Sequence, residues 1–125
     1  MTAQVVTKVE VPEEARSVRK ISWDWLCTDG GVVTSASASK YSGIALKVVT
    51  VPDGGGTAPT TLYDVTITDE DGVDILCGLG ADRSATATEY KSFSDGLGAC
   101  VDSVLTLNVA NAGNAKGGKV FLYIA

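Results

Sequence analysis

The chain has 125 residues, room for one domain and about one hydrophobic core. Hydrophobic residues make up 45 % and charged residues 20 %, which excludes overall disorder. A net charge of −5 and the absence of histidine speak against nucleic-acid binding and exclude Ser-His-Asp and Cys-His catalysis within the chain.

The one basic cluster, Arg16, Arg19 and Lys20, sits beside Glu13 and Glu14. No run of about 18 apolar residues exists to span a membrane. The first residues lack the basic start and long apolar stretch of a signal peptide, so folding in the cytoplasm is expected. Cys27, Cys77 and Cys100 are far apart and contain no C-x-x-C pair. An odd count in an unsecreted chain reads as buried free thiols. Fourteen glycines among many valines, threonines, alanines and serines suit a β-rich chain with many turns.

In chain order, Gln4 to Val11 is an N-terminal arm or edge strand, with Val5, Thr7, Val9 and Val11 on one face and Pro12 ending it. Val18 to Cys27 is a strand with Ile21, Trp23, Trp25 and Cys27 turned to the core. Thr28-Asp29-Gly30-Gly31 is a turn, and Val32 to Ser39 returns as its hairpin partner. Tyr41-Ser42-Gly43 marks a bend. Ile44 to Val51 follows as a strand with Ile44, Leu46, Val48 and Thr50 on one face, and Pro52 to Pro59 is a loop.

Leu62 to Thr68 and Val73 to Cys77 read as a second hairpin across Asp69-Glu70-Asp71-Gly72. Thr86 to Phe93 is a weaker strand between two glycine-bearing loops. Ser103 to Ala110 alternates cleanly, and Lys119 to Ile124 closes the chain. Roughly eight or nine short strands with frequent turns give an all-β fold, a single jelly-roll-like β-sandwich over residues 18–125 with an extended arm at 1–17.

The motifs are weak as chemistry. Asp69 to Asp74 is dense in carboxylates, but Val73 and Gly80 stand where an EF-hand loop needs its fifth and twelfth ligands. It reads as a solvated hairpin tip without metal. A glycosidase carboxylate pair needs a cleft and one raised pKa, which exposed turns do not supply. Gly78-Leu79-Gly80 lacks the third glycine and the βαβ unit of a dinucleotide site. Trp23 and Trp25 suit either a core face or a sugar-stacking platform. No catalytic residue, cofactor or metal is expected.

Tyr63 to Asp74, Gly78-Leu79-Gly80-Ala81-Asp82-Arg83-Ser84 and Leu105 to Ala115 resemble small β-rich structural proteins from the head genes of tailed bacteriophages. The resemblance covers about residues 18–125 and implies a capsid decoration, or cement, protein. Its implied partners are the major capsid protein and further copies of itself, a trimer being the expected oligomer. Its implied place is the capsid exterior of the virion, assembled in the host cytoplasm. A head–tail junction or tail protein and a carbohydrate-binding module are the alternatives. The valines of the arm, Val5, Val6, Val9 and Val11, are the candidate partner contacts. An amphipathic extended strip cannot bury itself alone, so it either straps onto a neighbour or forms an edge of its own sheet.

Overall fold

The computed structural model describes residues 4–10 and 18–125. Val11, and with it the Pro12 break, lies outside the described residues. The described chain is all-β, built as a nearly closed antiparallel sheet. Its strands are β1 (Val5–Glu10), β2 (Arg19–Leu26), β3 (Val33–Pro52), β4 (Asp64–Thr68), β5 (Glu89–Ser92), β6 (Cys100–Ala110) and β7 (Gly117–Ile124). The order is β1-β2-β7-β3-β6-β4, with β5 also paired to β3.

The period-two pattern of the sequence sets which side of each strand is buried. Ile21, Trp23, Trp25 and Cys27 are at most 1 % exposed, as their alternation requires. Tyr63, Val65 and Ile67 of the β4 region and Leu105, Leu107 and Val109 of β6 join them. The Trp25 and Tyr63 rings meet at 5.8 Å between centroids, so β2 and β4 face each other across the core. Truncating either tryptophan to alanine would cost about 3–5 kcal/mol.

Strand β3 runs for 20 residues and serves two neighbours. Its first half pairs with β6 and its second half with β7 and β5. The expected bend at Tyr41-Ser42-Gly43 is therefore a corner inside one continuous strand. Gly43 sits there at φ 139°, and a Cβ on it would stand 2.4 Å from the Ala125 carbonyl oxygen. The expected hairpin of β2 with the following strand does not form. The turn closes locally, with Gly31 N–H donating to the Thr28 carbonyl at 3.1 Å. Beyond it, both edges of β2 are taken by β1 and β7.

Irregularities of β3 also correct the expected parity of Ile44 to Val51. A register shift between Ala45 and Lys47 moves the buried set to Ala45, Val48 and Thr50 and leaves Ile44 36 % exposed. Val73 to Cys77 is not a strand either. One bridge, Thr68 to Asp74, is followed by turns. The Asp74 carboxylate accepts from the N–H groups of Ile67, Leu76 and Gly78 at 2.9–3.2 Å. That side chain offers the backbone an alternative to ladder pairing. The segment instead shields the outer edge of β4, where Val65 N–H donates to the Gly80 carbonyl and Arg83 N–H to the Tyr63 carbonyl.

Residues 5–10 form the edge strand of the chain's own sheet, paired with β2 from Val5–Leu26 to Glu10–Ile21. The gap between β1 and the start of β3 is bridged by side chains. The Gln4 amide accepts from Thr34 N–H at 3.0 Å and donates to the Thr34 carbonyl at 2.8 Å, standing in for a strand residue. Lys8 donates to the Ala36 carbonyl.

The acidic turn departs from a simple solvated tip. Asp69 caps its own loop, accepting from Asp71 and Val73 N–H. Glu70 reaches back to β6, accepting from Val104 N–H at 3.0 Å while its own N–H donates to Ser103 Oγ at 2.8 Å. It fills the place where β3 bulges away from β6 between Ala36 and Lys40. All three cysteines are free, but only Cys27 is buried; Cys77 and Cys100 are exposed, against the expectation of buried thiols. Cys77 lies in a turn and Cys100 on the outward parity of β6, beside the buried Val101, which explains the difference.

Two outcomes test this arrangement. A thiol reagent should label two cysteines in the native protein and the third only after unfolding. Glu70 has its pKa lowered first by the Val104 N–H and then by the Lys40 charge. A lowered carboxyl stabilises the fold above the ordinary carboxylate range and loses that contribution as pH falls through the lowered value. Thermal melts should show Glu70→Ala less stable than the native chain at pH 7, with the gap closing in acid. A gap independent of pH would refute the assignment.

Candidate functional site

Because the odd residues of β2 face the core, its even residues face outward, and the register carries this through five strands. Val9, Ser22, Phe121, Val49 and Tyr90 form one continuous row across β1, β2, β7, β3 and β5. On one side runs Lys20, Tyr123, Lys47 and Ser92; on the other, Thr7, Asp24, Lys119 and Val51. At about 4.8 Å between strands, the face is roughly 20 Å wide.

The face divides into two parts. Its β1 margin is an uncharged strip in which Val5 is 55 % and Val9 61 % exposed, with Thr7 between them. Beside it the small Ser22 leaves a shallow groove of about 200 Å³ between Val9 and Phe121, also lined by Thr7, Asp24 and Lys119. Across β2, β7, β3 and β5 lies a ladder of lysines and rings. Lys20 Nζ stands 4.3 Å from the Phe121 ring centre and 5.5 Å from that of Tyr123. Lys47 Nζ stands 5.1 Å from the Tyr90 ring and 5.6 Å from Tyr123. Exposed cation–π contacts of this kind are worth about 0.5–1 kcal/mol each, so the lysines are easily drawn away by a carboxylate.

The expected contact residues therefore separate. Val5 and Val9 lie on the outward strip, whereas Val6 turns inward, half-buried against the core. The ladder was missed in the sequence, although a signal exists. In Lys119 to Ile124 the core set Val120, Leu122 and Ile124 alternates with Phe121 and Tyr123, giving a strand with large apolar groups on both faces. In an antiparallel sheet such a strand marks an outer face with work to do.

The most polar point of the described interior is a structural cluster. Tyr63 is fully buried, and burial pushes its hydroxyl up to about 12 despite the nearby Thr50 hydroxyl. Beside it the buried Arg83 guanidinium pairs with Glu89 at 3.6 Å, and Glu89 also accepts from Ser84 N–H. This group ties the 80–89 segment to the sheet. Among the described residues no three carboxylate or thiol side chains gather as metal ligands. No family model, curated protein or solved structure matches the chain.

Trp23 and Trp25 are fully enclosed, which removes them as a sugar platform. Their emission should be blue-shifted and resist acrylamide until the protein unfolds; strong quenching in the native state would contradict the core assignment.

Proposed function

We propose that this chain is a structural virion protein that decorates and stabilises the outside of a tailed-phage capsid, with the major capsid protein as partner. The observation that carries the reading is the broad outward face, with apolar groups spread across its strands beside a shallow groove. Adhesion needs area and complementarity, not chemistry, and many copies add avidity to weak individual contacts. The resemblance of Tyr63 to Asp74 and Leu105 to Ala115 to head-gene proteins supplies the biological setting. The nearly closed antiparallel sheet is read, on the strength of that resemblance, as a variant of the jelly-roll-like sandwich expected for such a protein.

The uncharged margin of β1 is the surface assigned to the capsid, with Val5 and Val9 as contacts and the groove over Ser22 as the seat for one apolar side chain. Burying one such side chain contributes about 1.5–3 kcal/mol. Binding to the shell before disassembly shifts the equilibrium toward the assembled particle.

The test is cosedimentation of purified protein with expanded capsids lacking decoration, together with its copy number on mature particles. Hundreds of copies per particle, and binding weakened about tenfold or more by Val9→Asp without a change in melting temperature, are expected. A few to a dozen copies would replace this reading by a head–tail or tail position. Absence from particles and from the capsid pellet would overturn it.

A further inference from the structure

The charges of the described chain are sorted by side. The outward face of β2, β7 and β3 carries Lys20, Lys47 and Lys119; its acids, Asp24 and the Asp53 carboxylate over Gly117, lie away from the Lys20–Lys47 side. The Trp25–Tyr63 contact places β2 and β4 on opposite sides of the core, so the outward face of β4 and β6 points the other way. There the pattern inverts. Asp64 and Asp102 project from the strands, Asp69, Glu70 and Asp71 from the turn after β4, and Asp82 from the loop along its edge. The one lysine beside them, Lys40, is engaged with Glu70 at 3.5 Å. A protein of net charge −5 thus presents one surplus of positive charge laid over aromatic rings, and a surplus of negative charge on its far side.

We propose that the lysine and aromatic ladder is the docking surface for the acidic β4–β6 face of a second copy of this chain. Each copy then offers one face of each sign, so the contact is head to tail rather than two-fold. Such a contact leaves an unsatisfied face at each end, so copies add as an open stack. Lys20 and Lys47 leave their rings to pair with carboxylates of the neighbour. Phe121, Tyr123 and Tyr90, the last 62 % exposed, then meet its apolar atoms. Phe121 lines both the groove and the ladder, whereas Val5 and Val9 stay outside this contact, so Val9→Asp reads capsid binding and the lysine variants read self-association.

The full-length protein alone is the probe. Sedimentation velocity at about 25 mM salt should give a species several times the chain mass, and about 0.5 M salt should weaken association at least about tenfold. Lys20→Glu with Lys47→Glu should give monomers, and so should Asp71→Lys with Asp102→Lys. Mixing these two variants should restore association, because one then carries two acidic faces and the other two basic faces, so every contact between them again joins opposite charges. Lys47→Gln alone, which leaves the rings and the fold untouched, should weaken association in the same direction. Circular dichroism identifies any variant that fails to fold. A native chain that stays monomeric at low salt, or an acidic-face variant that assembles like the native chain, would overturn the proposal. Assembly without capsid binding would leave it standing and remove the capsid reading instead.

Discussion

Strand β3 has to leave β6 and join β7 without interrupting its own backbone, and the rest of the molecule follows from how it does so. At the corner the chain passes so close to Ala125 that only a hydrogen fits on Gly43. The C-terminal residue is fixed there in turn, with Ile44 N–H donating to the Ala125 carbonyl and Ala125 N–H to the Ile44 carbonyl at 3.0 Å. Arg19, buried at the start of β2, donates to the Ser42 carbonyl at the same corner. One strand shared by two sets of neighbours bends the sheet almost onto itself, and the tryptophans of β2 come to rest against Tyr63 beside β4.

A nearly closed sheet still has edges, and those of β1 and β4 are covered differently. Gln4 and Lys8 close the seam between β1 and β3 with side chains. The 74–83 segment lies along β4, approaching so near that a Cβ on Gly80 would stand 2.1 Å from the Val65 carbonyl oxygen. Glu70 occupies the gap opened by the bulge in β3. Covered edges oppose indiscriminate strand pairing. Contact with other molecules is thereby left to faces rather than edges. Inside, Trp23 Nε1 and Trp25 Nε1 are buried without a hydrogen-bond partner among the described residues. At about 1–3 kcal/mol each, these unmade bonds offset part of what the aromatic core contributes.

The outward surface combines the features that favour specific association. Rings give large contact area at little entropic cost, and lysines resting on them stay soluble until a carboxylate arrives. Segregated charge orients an encounter before apolar atoms touch. Asp24 opposite Lys119 in the middle of the positive side adds a mark of register, since a partner must match both signs.

The sequence by itself determined the all-β class, the turns, and the buried side of β2, β4 and β6, because alternation and turn chemistry are local. The face of Ile21, Trp23, Trp25 and Cys27 was legible for that reason, as was the absence of histidine chemistry. It did not determine which strands pair. The β2–β3 and β4–Val73 hairpins were the short-range choices, and β2, β3 and β4 instead pair with β7 and β6, far along the chain. Nor could alternation foresee the bulges of β3, since one extra residue exchanges the faces of everything beyond it. The outward face is the extreme case. Val9, Phe121, Val49 and Tyr90 are spread over 113 residues of chain, and only the tertiary register, which is a global property of the sheet, sets them in one row.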